Sequence, residues 1–282
     1  MKNIIPFYLL CTILFGSCTL RNLYYVSPYN GTAAPYHAIP LSADSIKSST
    51  SAGGDLYFGS ANEDGSDNVF LFSGNISRTA QLNHFQAYYG LDLSLGNYEV
   101  VKVDSFNNSS SVNFAAINSM DGNKFFEGLG ASGGINFVFP FKGGEWRVLG
   151  LELSSHREFG DYLNFRDKLP DSAATLIVKN DYFTTWGFYS EILSKTNYGN
   201  WGFRFSSGRI IEPDYNNLGI YDARTNRLLR YSYINLATHF TWDKWTTYMQ
   251  LNFATKATGV KFGAVYQLGA RYSHRKNTSD TK

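Results

Sequence analysis

The chain has 282 residues, and its 25 Lys and Arg side chains nearly balance 23 Asp and Glu, which leaves a formal net charge of +2. This balance gives no support to nucleic-acid binding, which favours strongly basic chains. Aromatic residues make up 17% of the chain, against 7 Pro and 3 Met. Abundant aromatics together with 26 Gly favour strands joined by tight turns.

The N-terminus has the layout of an export signal. A cationic Lys2 precedes an apolar run from Ile4 to Phe15, which is long enough for a signal-peptide core and too short to span a bilayer as a helix. The run ends in Phe-Gly-Ser-Cys at 15–18, which resembles the lipobox of bacterial lipoproteins, except that the lipobox prefers Leu where this chain has Phe15. The resemblance implies a lipoprotein signal peptide over 1–17 and acylation, including palmitate, at Cys18. An ordinary signal peptide cut nearby is the alternative.

Cysteine usage agrees with this interpretation. The chain has two Cys, and Cys11 lies inside the signal peptide, so Cys18 would remain alone after cleavage. A single Cys excludes an intramolecular disulfide and a Cys-based metal site. Thr19 follows the Cys where inner-membrane lipoproteins carry Asp. By the same resemblance, this implies delivery to the outer membrane of a Gram-negative bacterium and anchoring in its lipid.

Residues 18–50 hold Pro28, Pro35 and Pro40 among Ser, Thr, Asn and Tyr. This composition predicts an extended tether between the lipid and the body of the protein. The part from Tyr24 to Leu41 also resembles the opening segment of lipoproteins whose body is barrel-like.

Residues 51–274 alternate between apolar and polar side chains. In the clearest run, residues 84–95, one face carries Phe85, Ala87, Tyr89, Leu91, Leu93 and Leu95, and the other carries His84, Gln86, Tyr88, Gly90, Asp92 and Ser94. Alternation over about ten residues is typical of membrane barrels, whose strands are longer than those of soluble sandwiches. We therefore predict an all-β fold, an antiparallel up-and-down transmembrane β-barrel of about twelve strands, with ten as the alternative. A soluble periplasmic β-sandwich is the competing fold.

The predicted strands are 53–60, 68–78, 84–95, 98–104, 111–118, 126–141, 145–156, 184–195, 200–211, 229–242, 245–256 and 259–273. In the C-terminal half the links between them alternate between tight and long, with a short exception at 257–258. Because barrels of this class have short periplasmic turns and long outer loops, both termini are predicted to be periplasmic. The Trp residues at the strand ends, near turns, suit the headgroup zones of a bilayer; they are Trp146, Trp186, Trp201, Trp242 and Trp245.

The last strand carries a short motif formed by Lys261, Gly263, Tyr266 and Leu268. It resembles the β-signal, polar-x-Gly-x-x-aromatic-x-apolar, by which the barrel-assembly machinery recognises a final strand. The resemblance implies that this machinery is a partner during biogenesis. The chain departs from the usual pattern by continuing into a polar C-terminal tail, 275–282.

The densest polar cluster, Ser154, His156 and Glu158, is the candidate for catalysis, and its members would share one strand face. Residues two apart on a strand stand about 6.6 Å apart, whereas a nucleophile and its base need about 3 Å. Hydrogen bonding at a strand end is the favoured interpretation, and no catalytic residue is assigned. His84 and His239 are predicted to be satisfied lumen histidines.

An acidic turn at 62–68 contains Glu63, Asp64 and Asp67. Closely spaced carboxylates with Gly could hold Ca²⁺, but the spacing is not that of an EF-hand. A solvated acidic turn is therefore favoured, and no metal or other cofactor is predicted.

Charged residues of both signs are predicted to face the lumen: Asp92, Glu152, Glu191, Arg204, Arg230, Lys256, Lys261 and Arg271. Mixed charges in a small barrel pair with each other, whereas a selective pore favours one sign, so a plugged or narrow barrel is expected. The loops 157–183 and 212–228 carry residue types favoured at binding surfaces and could dock an envelope protein; these are Tyr162, Phe165, Arg166, Tyr215, Tyr221 and Arg224.

The sequence thus favours a non-enzymatic accessory or scaffold component of an envelope complex. Its alternatives are a narrow small-solute channel and an outer-membrane lipid-modifying hydrolase.

Overall fold

Ten long antiparallel strands close into a barrel. The computed structural model describes residues 23–32, 34–41, 46–62, 67–102, 114–174, 176–211, 221–222, 227–228 and 232–272. In chain order the barrel strands β1 to β10 are Ile46–Ala61, Asp67–Leu82, Phe85–Val100, Gly122–Phe141, Gly144–Gly160, Tyr182–Thr196, Gly199–Ile211, Ser232–Trp242, Trp245–Ala254 and Ala257–Tyr272. Each strand pairs with its neighbours in sequence, and β1 pairs with β10, from Ala61 opposite Ala257 to Ile46 opposite Tyr272.

The lower of the two predicted strand counts is confirmed, and two predicted strands are wrong. Residues 98–100 are the end of β3 and not a separate strand, while Phe114–Asn118 forms a short helix, α1. The predicted break at Gly96 lies inside β3, where a Cβ would come within 2.3 Å of the Phe126 ring. Gly96 thus permits a close contact instead of forming a turn. The barrel spans 46–272, against the predicted 51–274.

Side chains on the strands alternate between the outside and the lumen as predicted. On β3, Leu91 and Leu93 are 63% and 54% exposed, whereas Asp92 and Ser94 are 9% and 2% exposed. Exposed apolar side chains recur on the outer face of every strand pair, while the lumen face mixes polar and charged side chains with buried tyrosines and other apolar residues. Only a hydrocarbon surround makes such an outer surface favourable, and only a closed ring pairs every backbone amide there. The chain is therefore an antiparallel transmembrane barrel.

The two rims of the barrel differ in the lengths of their links. Four tight turns, at 83–84, 142–143, 197–198 and 243–244, form one end, which we call the short-turn rim. Asn83 and Asp243 adopt positive φ there, at 54° and 49°, a conformation that Asn and Asp tolerate better than most residues. The other end, the long-loop rim, holds the links between β1 and β2, β3 and β4, β5 and β6, and β7 and β8, together with the short turn at 255–256, near the predicted exception.

Tryptophans border the outer surface at the short-turn rim. Trp146, Trp201, Trp242 and Trp245 lie there and are 39–52% exposed, whereas Trp186 lies toward the long-loop rim. Indoles at the end of the apolar belt suit the headgroup zone of a bilayer.

The segment predicted as an extended tether lies inside the barrel. Its described residues, 23–32 and 34–41, which we call the plug, are almost all buried. The plug contains the two-residue strand Tyr24–Tyr25 and a 3-10 helix, Pro28–Thr32. Tyr24, Tyr25, Tyr29 and Tyr36 explain why it does not remain in solvent, since burying aromatic surface against the lumen wall is favourable. Cys18 and the rest of 1–22 lie outside the described residues.

The plug fixes the rim at which the described chain begins. The termini themselves, 1–22 and 273–282, lie outside the described residues, so their periplasmic location stays a prediction. Leu23 lies at the long-loop rim, since its carbonyl accepts a hydrogen bond of 3.3 Å from the N–H of Leu176 in the β5–β6 link. Tyr272, the last described residue, pairs with Ile46 at the short-turn rim. The two ends of the described chain are therefore at opposite rims.

Candidate functional site: the plugged lumen

The plug enters the barrel at the long-loop rim through backbone contacts. The N–H of Tyr24 donates to Oδ1 of Asn62 at 2.7 Å. Tyr24 and Tyr25 pair in parallel with Leu176 and Ile177 of the β5–β6 link. These contacts fix the backbone of the plug against the rim and not only its side chains.

A helix in the β5–β6 link covers this entrance. In helix α2, Asp161–Lys168, the Tyr162 hydroxyl donates to the Val26 carbonyl at 3.0 Å. The Tyr162 ring stacks on Tyr98 at 4.0 Å between centroids, and Phe165 meets Tyr25 edge to face at 5.2 Å. Burial raises the pKa of Tyr162 well above its ordinary value, so the phenol stays neutral. The helix and the plug form one packed layer.

The same helix corrects a prediction about the loops. Tyr162, Phe165 and Arg166 were expected at a docking surface, but all three are buried, and Arg166 pairs with Glu158 at 2.6 Å. The exposed residues of α2 are instead Asp161, Asn164, Asp167 and Lys168. In the second loop, 212–228, the structure describes only the backbone pairing of Tyr221–Asp222 with Arg227–Leu228. The predicted contacts of Tyr215 and Arg224 lie outside the described residues.

Just below the long-loop rim, the plug meets the wall at Tyr29. Its hydroxyl lies 2.6 Å from Oγ of Ser94, and its ring stacks on His156 at 4.8 Å between centroids and 11° from parallel. Nε2 of His156 lies 2.7 Å from Oδ2 of Asp92. One plug residue thereby contacts both β3 and β5.

The lower part of the plug is held by Arg147, whose side chain is fully buried. Arg147 forms ion pairs with Glu191 and, at 2.8 Å, with Glu145. The terminal nitrogen Nη2, which pairs with Glu145, also donates to the carbonyls of Ile39 at 2.8 Å and Pro40 at 3.1 Å. A single buried cation therefore neutralises two wall carboxylates and binds the plug backbone.

The remaining lumen charges pair within the wall. Arg204 pairs with Glu152 and lies over the Tyr189 ring, 3.8 Å from its centroid. Lys261 lies 3.8 Å from Asp55, whose other oxygen accepts from Tyr248 at 2.8 Å. The predicted internal network of mixed charges is confirmed for these residues.

Three predicted lumen residues lie elsewhere. His84 is exposed in the 83–84 turn, and Arg271 is exposed near the end of β10. Lys256 lies in the 255–256 turn with its amine 4.7 Å from the centre of the Tyr24 ring. Each occupies a strand end or a turn, where alternation no longer determines direction. Arg230 lies outside the described residues.

The polar cluster on β5 shares the lumen face as predicted, but its members have separate partners. Oγ of Ser154 lies 2.7 Å from Oγ1 of Thr185, whereas His156 and Glu158 face Asp92 and Arg166. These contacts make the cluster part of the hydrogen-bonded interior of the barrel.

In the acidic turn, Asp67 is buried and not solvated as expected. It accepts hydrogen bonds from the Tyr98 hydroxyl and the Val101 N–H, both at 3.0 Å, and from Nδ2 of Asn62. Glu63 and Asp64 lie outside the described residues. Within the described ranges, no cluster of His, Cys, Asp and Glu could hold a metal ion.

The four residues of the predicted β-signal lie on β10. Lys261 and Gly263 share the lumen face, and Tyr266 and Leu268 share the outer face. Lys261 is buried in the lumen, and a Cβ at Gly263 would meet the Tyr248 ring at 2.4 Å. Tyr266 packs on Trp245 at 4.9 Å, and Leu268 is 56% exposed on the outside. Recognition by the assembly machinery stays a prediction, and the tail 275–282 lies outside the described residues.

A cavity of about 430 Å³ opens at the short-turn rim between the plug and the wall. Its lining includes Tyr36, Leu41, Asn200, His239 and Gln267. His239 is only 3% exposed and lies beside Glu191, with Nε2 3.0 Å from Oε1, which confirms it as a lumen histidine. The lumen is therefore filled at the long-loop end and has free space at the other.

Comparison with known proteins identifies no family for this chain. No family model matches the chain, and no curated protein matches it. Among solved structures, the β domain of a Bordetella autotransporter is 11% identical, covering 78% of this chain and 98% of its own, with a TM-score of 0.41. An outer membrane channel from Pseudomonas putida is 9% identical, covering 83% and 98%, with a TM-score of 0.37. The KdgM porin is 8% identical, covering 78% and 99%, with a TM-score of 0.30.

In the part of the chain that the structure describes, no helix is both long and apolar enough to cross a membrane.

Proposed function

We propose that this chain is a plugged outer-membrane barrel lipoprotein, anchored by acylation at Cys18, that acts as a non-enzymatic accessory or scaffold in an envelope complex. The observation that supports this most strongly is the plug, which contacts the wall from Asn62 at one rim to Arg147 near the other. A barrel whose lumen is filled by its own chain provides a rigid membrane body with loops and not an open passage.

Conductance of planar bilayers tests the closed lumen. The intact protein should produce no stable steps, whereas a variant lacking residues 23–41 should conduct. The matched control is a variant lacking 275–282, which should remain silent. Stable conductance of the intact protein would contradict the proposal.

The scaffold role requires a partner at the long-loop rim. The exposed face of α2 offers Asp161, Asn164, Asp167 and Lys168. Purification from membranes in mild detergent should recover a second envelope protein with the wild type and less of it with an Asp167→Ala, Lys168→Ala double variant. A protein that is solitary in its native membrane under these conditions would count against the scaffold role.

A narrow small-solute channel is the second candidate, and the cavity of about 430 Å³ at the short-turn rim favours it. Pockets that bind small molecules start at about 300 Å³. Under this hypothesis the plug would have to move, so conductance should appear only when its contacts with Arg147 are weakened.

A further inference from the structure

The order of the plug's contacts gives the direction of the chain through the lumen. At the long-loop rim, the side chain of Asn30 still donates to the carbonyl of Thr255 at 2.7 Å. Farther down, Gln250 donates to the Ala34 carbonyl at 3.0 Å, and Nε2 of His37 lies 2.8 Å from Oγ of Ser132.

The last contacts are at the opposite end. There Gln86, near the start of β3, donates to the Pro40 carbonyl at 3.0 Å. The contacts therefore lead from the long-loop rim at Leu23 to the opposite end at Pro40, after which β1 begins at Ile46 on the short-turn rim.

Chain length limits how far Cys18 can be from this entrance. Cys18 precedes Leu23 by five residues, and five residues reach at most about 18 Å. β1 has 16 residues, which at about 3.3 Å per residue and a tilt near 40° gives a barrel roughly 40 Å tall. A lipid attached to Cys18 cannot therefore reach the leaflet beside the short turns.

We infer that the acylated Cys18 inserts into the leaflet beside the long loops, so that the protein is anchored at the same face as its loops and threads its N-terminal segment inward through its own barrel. The inference rests on the proposed lipoprotein function. Because short turns face the periplasm in barrels of this class, the leaflet is the outer one, at the cell surface. The partner of the anchor is thus the lipid of that outer leaflet.

Three variants, each with one cysteine introduced in addition to Cys18, test the direction. They are Arg21→Cys, two residues before the first described residue, Ser119→Cys at an exposed position of the β3–β4 link, and Tyr198→Cys in a short turn, where Tyr198 is 87% exposed. Each is treated with a membrane-impermeant maleimide on intact cells, and the labelled fraction is divided by that obtained after lysis. Correct folding is verified by migration on an unboiled gel.

The expected result is that position 21 gives a labelling ratio close to that of position 119 and at least several-fold above that of position 198. A ratio at position 21 that instead matches position 198 would overturn the inference. Incorporation of radioactive palmitate in wild type and Cys18→Ala is measured separately. Absence of the label from both proteins would refute lipid anchoring. The three variants would then be repeated in a Cys18→Ala background, where only the introduced cysteine can react, and their labelling ratios would still report the direction of the chain.

Discussion

Tyr29 of the plug and His156 of the barrel wall stack face to face, with ring centroids 4.8 Å apart. Tyr29 also shares a hydroxyl contact of 2.6 Å with Ser94. Because Tyr29 contacts two strands, replacing it is the most direct way to measure how much the packing of the plug against the wall stabilises the protein.

Replacing Tyr29 should separate stacking from hydrogen bonding. Tyr29→Ala removes a buried aromatic ring and should destabilise the protein by about 3–5 kcal/mol. Tyr29→Phe keeps the ring and should cost about 1 kcal/mol. The temperature at which unboiled protein changes its gel migration measures both. Equal losses for the two variants would mean that the ring contributes nothing beyond the hydroxyl.

Gly128 lies where the Tyr29 hydroxyl needs space, since a Cβ there would come within 1.9 Å of that oxygen. Gly128→Ala should therefore displace Tyr29 and lower the same transition temperature by several degrees. Gly74→Ala is the matched control, because its nearest neighbour would be a carbonyl oxygen at 3.9 Å. A Gly128→Ala protein as stable as Gly74→Ala would show that Tyr29 is not held in place.

Removing Arg147 should leave Glu145 and Glu191 buried without their cation. Breaking a buried pair in this way costs about 3–5 kcal/mol, and the carbonyls of Ile39 and Pro40 lose a donor as well. Arg147→Ala should therefore lower the thermal stability and raise the accessibility of the plug to protease. Arg157→Ala, on the same strand but with an exposed ion pair to Asp181, should change little. Similar behaviour of the two variants would contradict the central role of Arg147.

The neutral Tyr162 makes part of the stability sensitive to alkali. Its pKa is raised in the folded protein, while in the unfolded chain it returns to about 10. Its contribution is thus complete below about pH 10 and falls as the pH rises above that value. Tyr162→Phe should flatten this alkaline loss in melting experiments, whereas Tyr198→Phe, at an exposed turn, should not. An unchanged alkaline limb in Tyr162→Phe would rule out this source.

The barrel was predictable from sequence because its determinant is local. A strand in hydrocarbon must place apolar side chains outward at every second position. Leu91 and Asp92 can therefore be assigned to opposite faces from the sequence of their own strand, without knowing which strands lie beside it. The tight turn at 243–244 was predictable because only these two residues separate the alternating runs of two consecutive strands. The strand ends were less predictable, because Gly96 permits a close contact in the middle of β3 although glycine is also typical of turns.

The plug was not predictable as a buried segment because nothing periodic marks it. Its position depends on contacts between residues far apart in the chain, such as Asn30 with Thr255 and Arg147 with Ile39. The proline content predicts an extended course and gives no information about the surroundings, whereas Pro28 begins a 3-10 helix inside the lumen. The available signal was the tyrosines: Tyr24, Tyr25, Tyr29 and Tyr36 supply more aromatic surface than a solvated linker normally carries.

Because β1 pairs with β10, the barrel is closed around the plug. The plug continues at its lower end into β1, and a lipid at its upper end would be too bulky to pass through the lumen. The plug could leave only by moving lengthwise through the lumen, which the lipid would block. The plug would then have to lie in the lumen before β1 and β10 pair. Addition of the last strand during assembly would fix the position of the plug as well as close the barrel.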